Sequence, residues 1–129
     1  MKVKRFEDLE IWQLSRDLCK FVYKITERIP FKNDFRFVAQ IRSSSGSVMD
    51  NISEGFERDG DKEFKQFLYI AKGSCGETRS QNYRAYDFKY ITNAEQIELN
   101  DKCVALNIKI AAMINYLKKS NLSGNKYKT

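Results

Sequence analysis

The sequence predicts an all-α fold, an antiparallel up-down-up-down four-helix bundle. Apolar residues recur at spacings of three and four through four long segments, and no segment shows the alternation that is typical of a strand. The 129 residues include one proline, Pro30, so little interrupts these segments. Because short turns join them, neighbouring helices are expected to run antiparallel.

The first helix is predicted over about residues 8–29. Acidic side chains crowd its start, where the helix dipole favours them, and Pro30 ends it. Its apolar residues form one line with the spacing of a buried helix face: Ile11, Leu14, Leu18, Val22, Ile25 and Ile29.

The second helix is predicted over about residues 34–57. Its apolar rhythm continues through a centre that consists of serine and glycine, residues 43–47. Small side chains let two backbones approach closely, so we expect this segment to lie tightly against its neighbours. Asn51, near the middle of the helix, is predicted to form a hydrogen bond across that helix interface.

The third helix is predicted over about residues 61–88, with Asp61 as its N-cap. Gly73 and Gly76 each weaken an isolated helix by about 1 kcal/mol relative to alanine. We therefore expect these glycines to provide a second surface of close approach, facing the serine and glycine segment.

The fourth helix is predicted over about residues 92–119, and Thr92 with Glu95 forms a capping box at its start. It carries two apolar lines. The first suits the bundle interior and comprises Leu99, Cys103, Leu106, Ile110, Met113 and Leu117. The second predicts a further partner, because one line suffices for a bundle, and comprises Ile97, Val104, Ile108 and Ala111. We therefore predict that residues 1–119 form the bundle and that residues 120–129 form a disordered basic tail.

The composition excludes the commonest enzymes of this architecture. Without any histidine, the chain has no Ser-His-Asp triad, no HExxH zinc site and no Glu-x-x-His di-iron site. Cys19, Cys75 and Cys103 lie far apart and are interpreted as buried, reduced thiols. We expect no enzyme, no catalytic residue, no cofactor and no metal.

The remaining acidic candidates, Glu54 and Glu77, are predicted to pair with arginines, namely Arg42, Arg58 or Arg79. No apolar run is long enough to span a bilayer, and the N-terminus lacks the apolar stretch of a secretory leader. The sequence therefore predicts a cytoplasmic location.

Basic residues are the better functional signal, since the net charge is +6. Two lines follow helical spacing: Arg16, Lys20, Lys24 and Arg28 on the first helix, and Lys65, Lys72 and Arg79 on the third. Nearby tyrosines could stack on bases: Tyr69, Tyr83, Tyr86 and Tyr90. These lines are either a nucleic-acid surface or the solvated outer faces of the helices.

Several motifs together resemble those of a known family: Phe6-x-x-Leu9-x-x-Trp12, Gln40-Ile41-Arg42, Ser47-Val48-x-x-Asn51-Ile52-x-Glu54-Gly55, Arg58, Phe64-x-x-Phe67-Leu68 and Ala71-x-Gly73-Ser74-x-x-Glu77. The chain resembles the small four-helix-bundle proteins encoded in intervening sequences of bacterial 23S ribosomal RNA genes, also labelled S23 ribosomal proteins. Met49 and Ser53 depart from the family pattern, which usually has proline and alanine there. The motif residues are interpreted as structural.

The resemblance implies a homopentameric ring and kinship with the accessory variability protein of diversity-generating retroelements, a basic pentamer that binds a reverse transcriptase and nucleic acid. Our hypothesis is a non-enzymatic, ring-forming protein that contacts RNA or DNA electrostatically. The alternative is a protein-interaction scaffold that binds no nucleic acid and no membrane.

Overall fold

Four α-helices make up the part of the chain that the structure describes. The computed structural model describes the backbone of residues 3–123 and the side chains of residues 3–120, and this part contains no strand. Each helix packs against the next in the chain, and the fourth returns against the first, so the predicted four-helix bundle is confirmed. The helices are α1 (Glu10–Thr26), α2 (Phe35–Glu57), α3 (Asp61–Asp87) and α4 (Asn93–Ser123), with 3-10 helices at Phe6–Asp8 and Phe31–Asn33.

The predicted apolar lines meet in one core. Full burial of a leucine or isoleucine side chain contributes about 1.5–3 kcal/mol. On α4 the first predicted line is buried with one exception, since Met113 is only partly buried and Ile114 takes its place. The fully buried large side chains come from every helix and include Leu18, Ile25, Ile41, Ile52, Phe64, Leu68, Leu99, Leu106 and Ile110.

The first helix is shorter than predicted. α1 ends at Thr26, and the chain turns through Pro30 into the 3-10 helix before α2 begins. Proline disfavours helical backbone in the residue before it, so Ile29 does not extend the helix although it keeps the apolar rhythm. At the start of α2, the carboxylate of Asp34 accepts a hydrogen bond from the Phe37 backbone N–H at 3.2 Å.

The starts of the last two helices differ from each other. The prediction that Asp61 caps α3 is wrong: Gly60 occupies the N-cap position, and Asp61 is the first helical residue. Asp61 is 1% exposed, and neither carboxylate oxygen has a hydrogen-bond partner among the described residues. The capping box of α4 forms as predicted, with the Glu95 N–H 3.1 Å from Thr92 Oγ1 and the Thr92 N–H 2.9 Å from Glu95 Oε1.

α4 continues to Ser123, so the predicted disordered tail begins inside this helix. The rest of the predicted tail, 124–129, lies outside the described residues.

Short hydroxyl side chains join α2 to α3. Ser44 Oγ donates to Gln81 Oε1 at 2.6 Å and lies 2.8 Å from Thr78 Oγ1. One turn further along, the hydroxyl oxygens of Ser47 and Ser74 are 2.9 Å apart. These contacts agree with the close approach predicted from the serine-rich centre of α2.

Among the glycines of these helices, only Gly55 marks a close approach. A Cβ atom placed there would lie 2.6 Å from Phe67 Cβ, whereas one at Gly46, Gly73 or Gly76 would meet no atom of a neighbouring element within 4 Å in the described part of the chain. The predicted packing of Gly73 and Gly76 against the serine-rich segment is therefore wrong. Both glycines lie on the outer side of α3, which the sequence could not distinguish from the inner side.

Three predicted polar contacts have different outcomes. Asn51 Nδ2 donates to the backbone oxygen and the hydroxyl of Ser47 in its own helix, at 2.8 and 2.9 Å, rather than across the interface. Glu54 pairs with Arg58 at 3.1 Å, as predicted. Glu77 instead accepts a hydrogen bond from Gln81 Nε2 at 3.4 Å.

Candidate nucleic-acid interface

Four side chains share one exposed side of α1. Arg16, Lys20 and Tyr23 follow one another at spacings of four and three, and Lys24 adjoins them. This side lies next to α2, because Arg42 of α2 reaches the Tyr23 ring. We call these five residues, Arg16, Lys20, Tyr23, Lys24 and Arg42, the basic face. From Arg16 to Lys24 it extends about 12 Å along the helix.

Arg42 connects the two helices of the basic face. Its guanidinium carbon lies 4.5 Å from the centroid of the Tyr23 ring. Nε donates to Thr26 Oγ1 at 2.9 Å, and a terminal nitrogen donates to Glu27 Oε2 at 2.7 Å. The hydrogen bond from Arg42 also lowers the pKa of the Glu27 carboxyl. The guanidinium is therefore held in one orientation from two sides.

The opposite end of the basic face repeats the pairing of a cation with an aromatic ring. The guanidinium of Arg16 lies 5.8 Å from the centroid of the Trp12 ring, and Trp12 packs on Phe6 with centroids 5.2 Å apart. Cation–π contacts of this kind contribute about 0.5–1 kcal/mol at exposed sites. Aromatic rings and cations thus lie side by side along this side of α1.

Arg28, the fourth residue of the predicted line, does not belong to the basic face. It lies beyond the end of α1, and its two terminal nitrogens donate to the two carboxylate oxygens of Glu95, each at 2.6 Å. This bidentate pair joins the connection after α1 to the capping box of α4. It lowers the pKa of Glu95 to about 2.

This pair predicts a stability effect that depends on pH. Because the pKa of Glu95 is lowered, the pair contributes to the free energy of unfolding above the ordinary pKa of a glutamate. That contribution is lost as the pH falls toward 2. We expect Glu95→Gln to lower the free energy of unfolding at pH 7 by about 1 kcal/mol, since the pair is partly exposed. Urea denaturation at pH 7, 5 and 3 should show the difference from wild type shrinking as the pH falls.

Glu98→Gln is the matched control, because Glu98 lies on the same helix and pairs only loosely with Lys102, at 3.7 Å. If Glu95→Gln lowers the free energy of unfolding no more than Glu98→Gln does, or by an amount that is constant with pH, the stabilising role of the Arg28–Glu95 pair is contradicted.

The basic residues of α3 lie on another side of the bundle. Lys72 and Arg79 flank Cys75, whose thiol donates to the Cys103 backbone oxygen of α4 at 3.3 Å. Lys65 shares this side at a spacing of seven residues. Since the seam between α3 and α4 lies opposite the seam between α1 and α2, the two predicted basic lines do not form one surface.

The tyrosines predicted to accompany the α3 line also separate. Tyr69, Tyr83 and Tyr86 are exposed on α3. Tyr90 lies beyond the helix end, where it stacks on Phe31 with centroids 4.9 Å apart and donates to Asp34 Oδ2 at 2.7 Å. The Tyr90 side chain therefore packs against the core of its own chain, whereas the other three tyrosines are exposed.

The three cysteines are free thiols, of which Cys75 and Cys103 are buried and Cys19 is half-buried. Burial raises the pKa of Cys19, and the neighbouring Cys75 together with burial raises that of Cys103. Within residues 3–120, no group of three or more cysteine and acidic side chains could hold a metal ion. None of the helices, as far as they are described, is long and apolar enough to cross a membrane.

Two unlike faces remain exposed elsewhere on the bundle. The α4 ridge consists of Ile97, Ala105 and Ile108, with Ile97 49% and Ile108 64% exposed. Val104 and Ala111, from the same predicted line, are half-buried within the chain. The α3 groove is a hollow of about 320 Å³ lined by Gly76, Arg79, Ser80 and Tyr83.

Comparison with known proteins gives a family and a fold. The model of the 23S rRNA-intervening sequence protein family matches residues 7–122, which confirms the resemblance seen in the sequence. A crystal structure of a protein with unknown function from the S23 ribosomal protein family of Bacteroides thetaiotaomicron is similar, with a TM-score of 0.73 and 21% identity over 81% of this chain and 97% of that one. No curated protein matches.

Proposed function

As the chain belongs to the family of 23S rRNA-intervening sequence proteins, we propose that it is a non-enzymatic cytoplasmic protein that contacts RNA or DNA through its basic face. The observation that carries this proposal is the concentration of cations and aromatic rings on one side of the α1–α2 pair. Lysine and arginine side chains at this density bind phosphates through release of counterions, which is independent of sequence.

The charges of the basic face are available to a ligand. Among the described residues, Arg16, Lys20 and Lys24 form no ion pair, whereas Arg5, Arg58 and Lys102 each have an acidic partner. A phosphate that approaches α1 would therefore not have to displace a carboxylate from these three side chains.

A ring of identical copies would multiply this weak surface, and we propose the homopentamer that the family resemblance implies. The bundle offers two unlike faces, the α4 ridge and the α3 groove, as a head-to-tail contact requires. Their charges are also complementary: Asp101 lies between Ile97 and Ala105, and Arg79 lines the groove, and neither has an ionic partner among the described residues. Such a contact would leave the basic face uncovered, and five copies would raise avidity without any new type of contact.

Reversal of charge on the basic face tests the proposed function. We expect the triple variant Arg16→Glu, Lys20→Glu, Lys24→Glu to bind a structured RNA at least 10-fold more weakly than wild type near physiological salt, because phosphate contacts are lost. The slope of log affinity against log salt should become shallower by about 3 per bound chain, as each lost contact contributes about 0.9. Fluorescence anisotropy titrations at several salt concentrations measure both quantities.

A control with the same change in net charge is Lys62→Glu, Lys89→Glu, Lys119→Glu, since these lysines are exposed and lie off the basic face. If the two triple variants lose RNA affinity equally, or if the wild-type affinity does not change with salt concentration, the proposal is overturned. Protein partners that survive nuclease treatment in a pull-down, with no nucleic acid bound, would favour a scaffold instead.

A further inference from the structure

We infer that Tyr23 is a stacking platform for an unpaired base, so that the basic face takes single-stranded nucleic acid in preference to a duplex. This inference rests on the proposed function and specifies its ligand. Aromatic side chains beside cations are the usual means by which proteins hold single strands, because every base has a face on which a ring can stack.

The first argument is that the Tyr23 ring is exposed yet fixed. It is 56% exposed, although an exposed aromatic side chain normally gains from burial. One face of the ring is covered by the Arg42 guanidinium at 4.5 Å, and that guanidinium is itself held by Thr26 and Glu27. The ring therefore has one supported face, and a base that stacks on the open face meets a surface that needs little further ordering.

The second argument is the position of the ring among cations. Lys20 precedes Tyr23 by one helical turn and Lys24 follows it directly, so phosphates on either side of a stacked base would meet a lysine. In a duplex the bases are stacked on one another inside the helix, so only the lysines and Arg16 could contribute. The geometry thus favours a strand whose bases are free to turn outward.

The other exposed tyrosines lie off the basic face, since Tyr69, Tyr83 and Tyr86 are on α3 and Tyr116 is on α4. Tyr69 has a cation near its ring, Lys118 at 5.8 Å, but it lies on α3, away from the basic face. Tyr83 lines the α3 groove and has no guanidinium stacked on it among the described residues. Tyr23 alone joins an exposed, supported ring to the cations of the basic face in the part of the chain that the structure describes.

The test compares Tyr23→Leu, Tyr23→Trp and the control Tyr69→Leu, at an exposed tyrosine outside both the basic face and the α3 groove, on two labelled RNAs of about 12 nucleotides, one unstructured single strand and one blunt duplex. Anisotropy titrations at one fixed salt concentration give the affinities. We expect Tyr23→Leu to weaken binding of the single strand about 10-fold and binding of the duplex less than 2-fold. Tyr23→Trp should bind the single strand at least as tightly as wild type, because indole also stacks, and Tyr69→Leu should bind both RNAs as wild type does.

The outcomes separate this inference from the proposed function. If Tyr23→Leu binds the single strand as wild type does, or if its affinity falls equally for both RNAs, the stacking role is overturned. If the charge-reversed triple variant still loses affinity in that case, the proposed function stands without it. If the triple variant loses none, both fail. Thermal unfolding of each variant by circular dichroism shows whether a loss reflects damage to the fold, and the tryptophan variant then decides the question.

Discussion

Gly55→Ala is expected to destabilise the bundle by about 2 kcal/mol, whereas Gly46→Ala in the same helix is expected to stabilise it by about 0.5–1 kcal/mol. At Gly55 the new Cβ would lie 2.6 Å from Phe67 Cβ and 3.1 Å from Phe64 Cδ1. Because Phe67 Cβ is attached directly to the backbone of α3, relief requires a shift of the whole helix rather than rotation of one side chain. At Gly46 the space is open, so only the higher helix propensity of alanine counts.

Urea denaturation at one fixed protein concentration measures both changes, and the two variants control for each other because the chemical change is identical. Equal stability of Gly55→Ala and Gly46→Ala would show that α2 and α3 can separate at Gly55 at little cost, and the close approach would then have no energetic role.

Ile108→Glu is expected to convert the proposed pentamer, with five times the chain mass of 15.2 kDa, into single chains. Ile108 is 64% exposed in the isolated chain, so the change should alter folding stability by no more than about 0.5 kcal/mol. Within an assembly, the same carboxylate would be taken out of water without a partner at every contact, which costs several kcal/mol each. Light scattering and sedimentation distinguish the two states.

The charges at the proposed contact between copies provide a second, independent measurement. Asp101→Arg should weaken the assembly, and the double variant Asp101→Arg, Arg79→Asp should restore it if these residues meet across the contact. Ser43→Glu, an exposed change on α2, should leave the assembly intact. A wild-type protein that remains a single chain at high concentration would contradict the ring, and so would an Ile108→Glu variant that assembles normally.

The sequence predicts the helices well because their signals are local. The spacing of Leu99, Leu106 and Ile110 identifies the buried side of α4, and Thr92 with Glu95 identifies its start. Local signals fail where two of them conflict. Ile29 continues the apolar rhythm of α1, but the ring of Pro30 restricts the backbone before it, and the helix ends at Thr26.

The candidate site is only partly predictable, because its decisive contacts are distant in sequence. The i+4 spacing finds Arg16, Lys20 and Lys24, but it cannot show that Arg28 pairs with Glu95 of another helix. Nor does any local pattern place Arg42 on the Tyr23 ring. The one available signal is that Tyr23 follows Arg16 by seven residues, which puts both on one helix side.

The glycines of α3 show a similar limit. Composition indicates that Gly73 and Gly76 leave room beside the helix. It does not indicate whether another helix packs into that room. The structure places that room on the outside of the bundle, where no other part of the described chain fills it.

The hydrogen bonds that Ser44 and Ser47 of α2 form with side chains of α3 favour one alignment of these two helices along their length. A slip of one helical turn, about 5.4 Å, would part Ser44 from Gln81 and Ser47 from Ser74 at the same time. The hydroxyls would keep partners within α2, Ile41 O for Ser44 and Asn51 Nδ2 for Ser47, and each hydrogen bond lost between the helices contributes about 0.5–1.5 kcal/mol. Arg42 on α2 and the residues that line the α3 groove consequently keep the same positions along the bundle axis. Every copy would therefore present the basic face and the α3 groove in the same relative geometry.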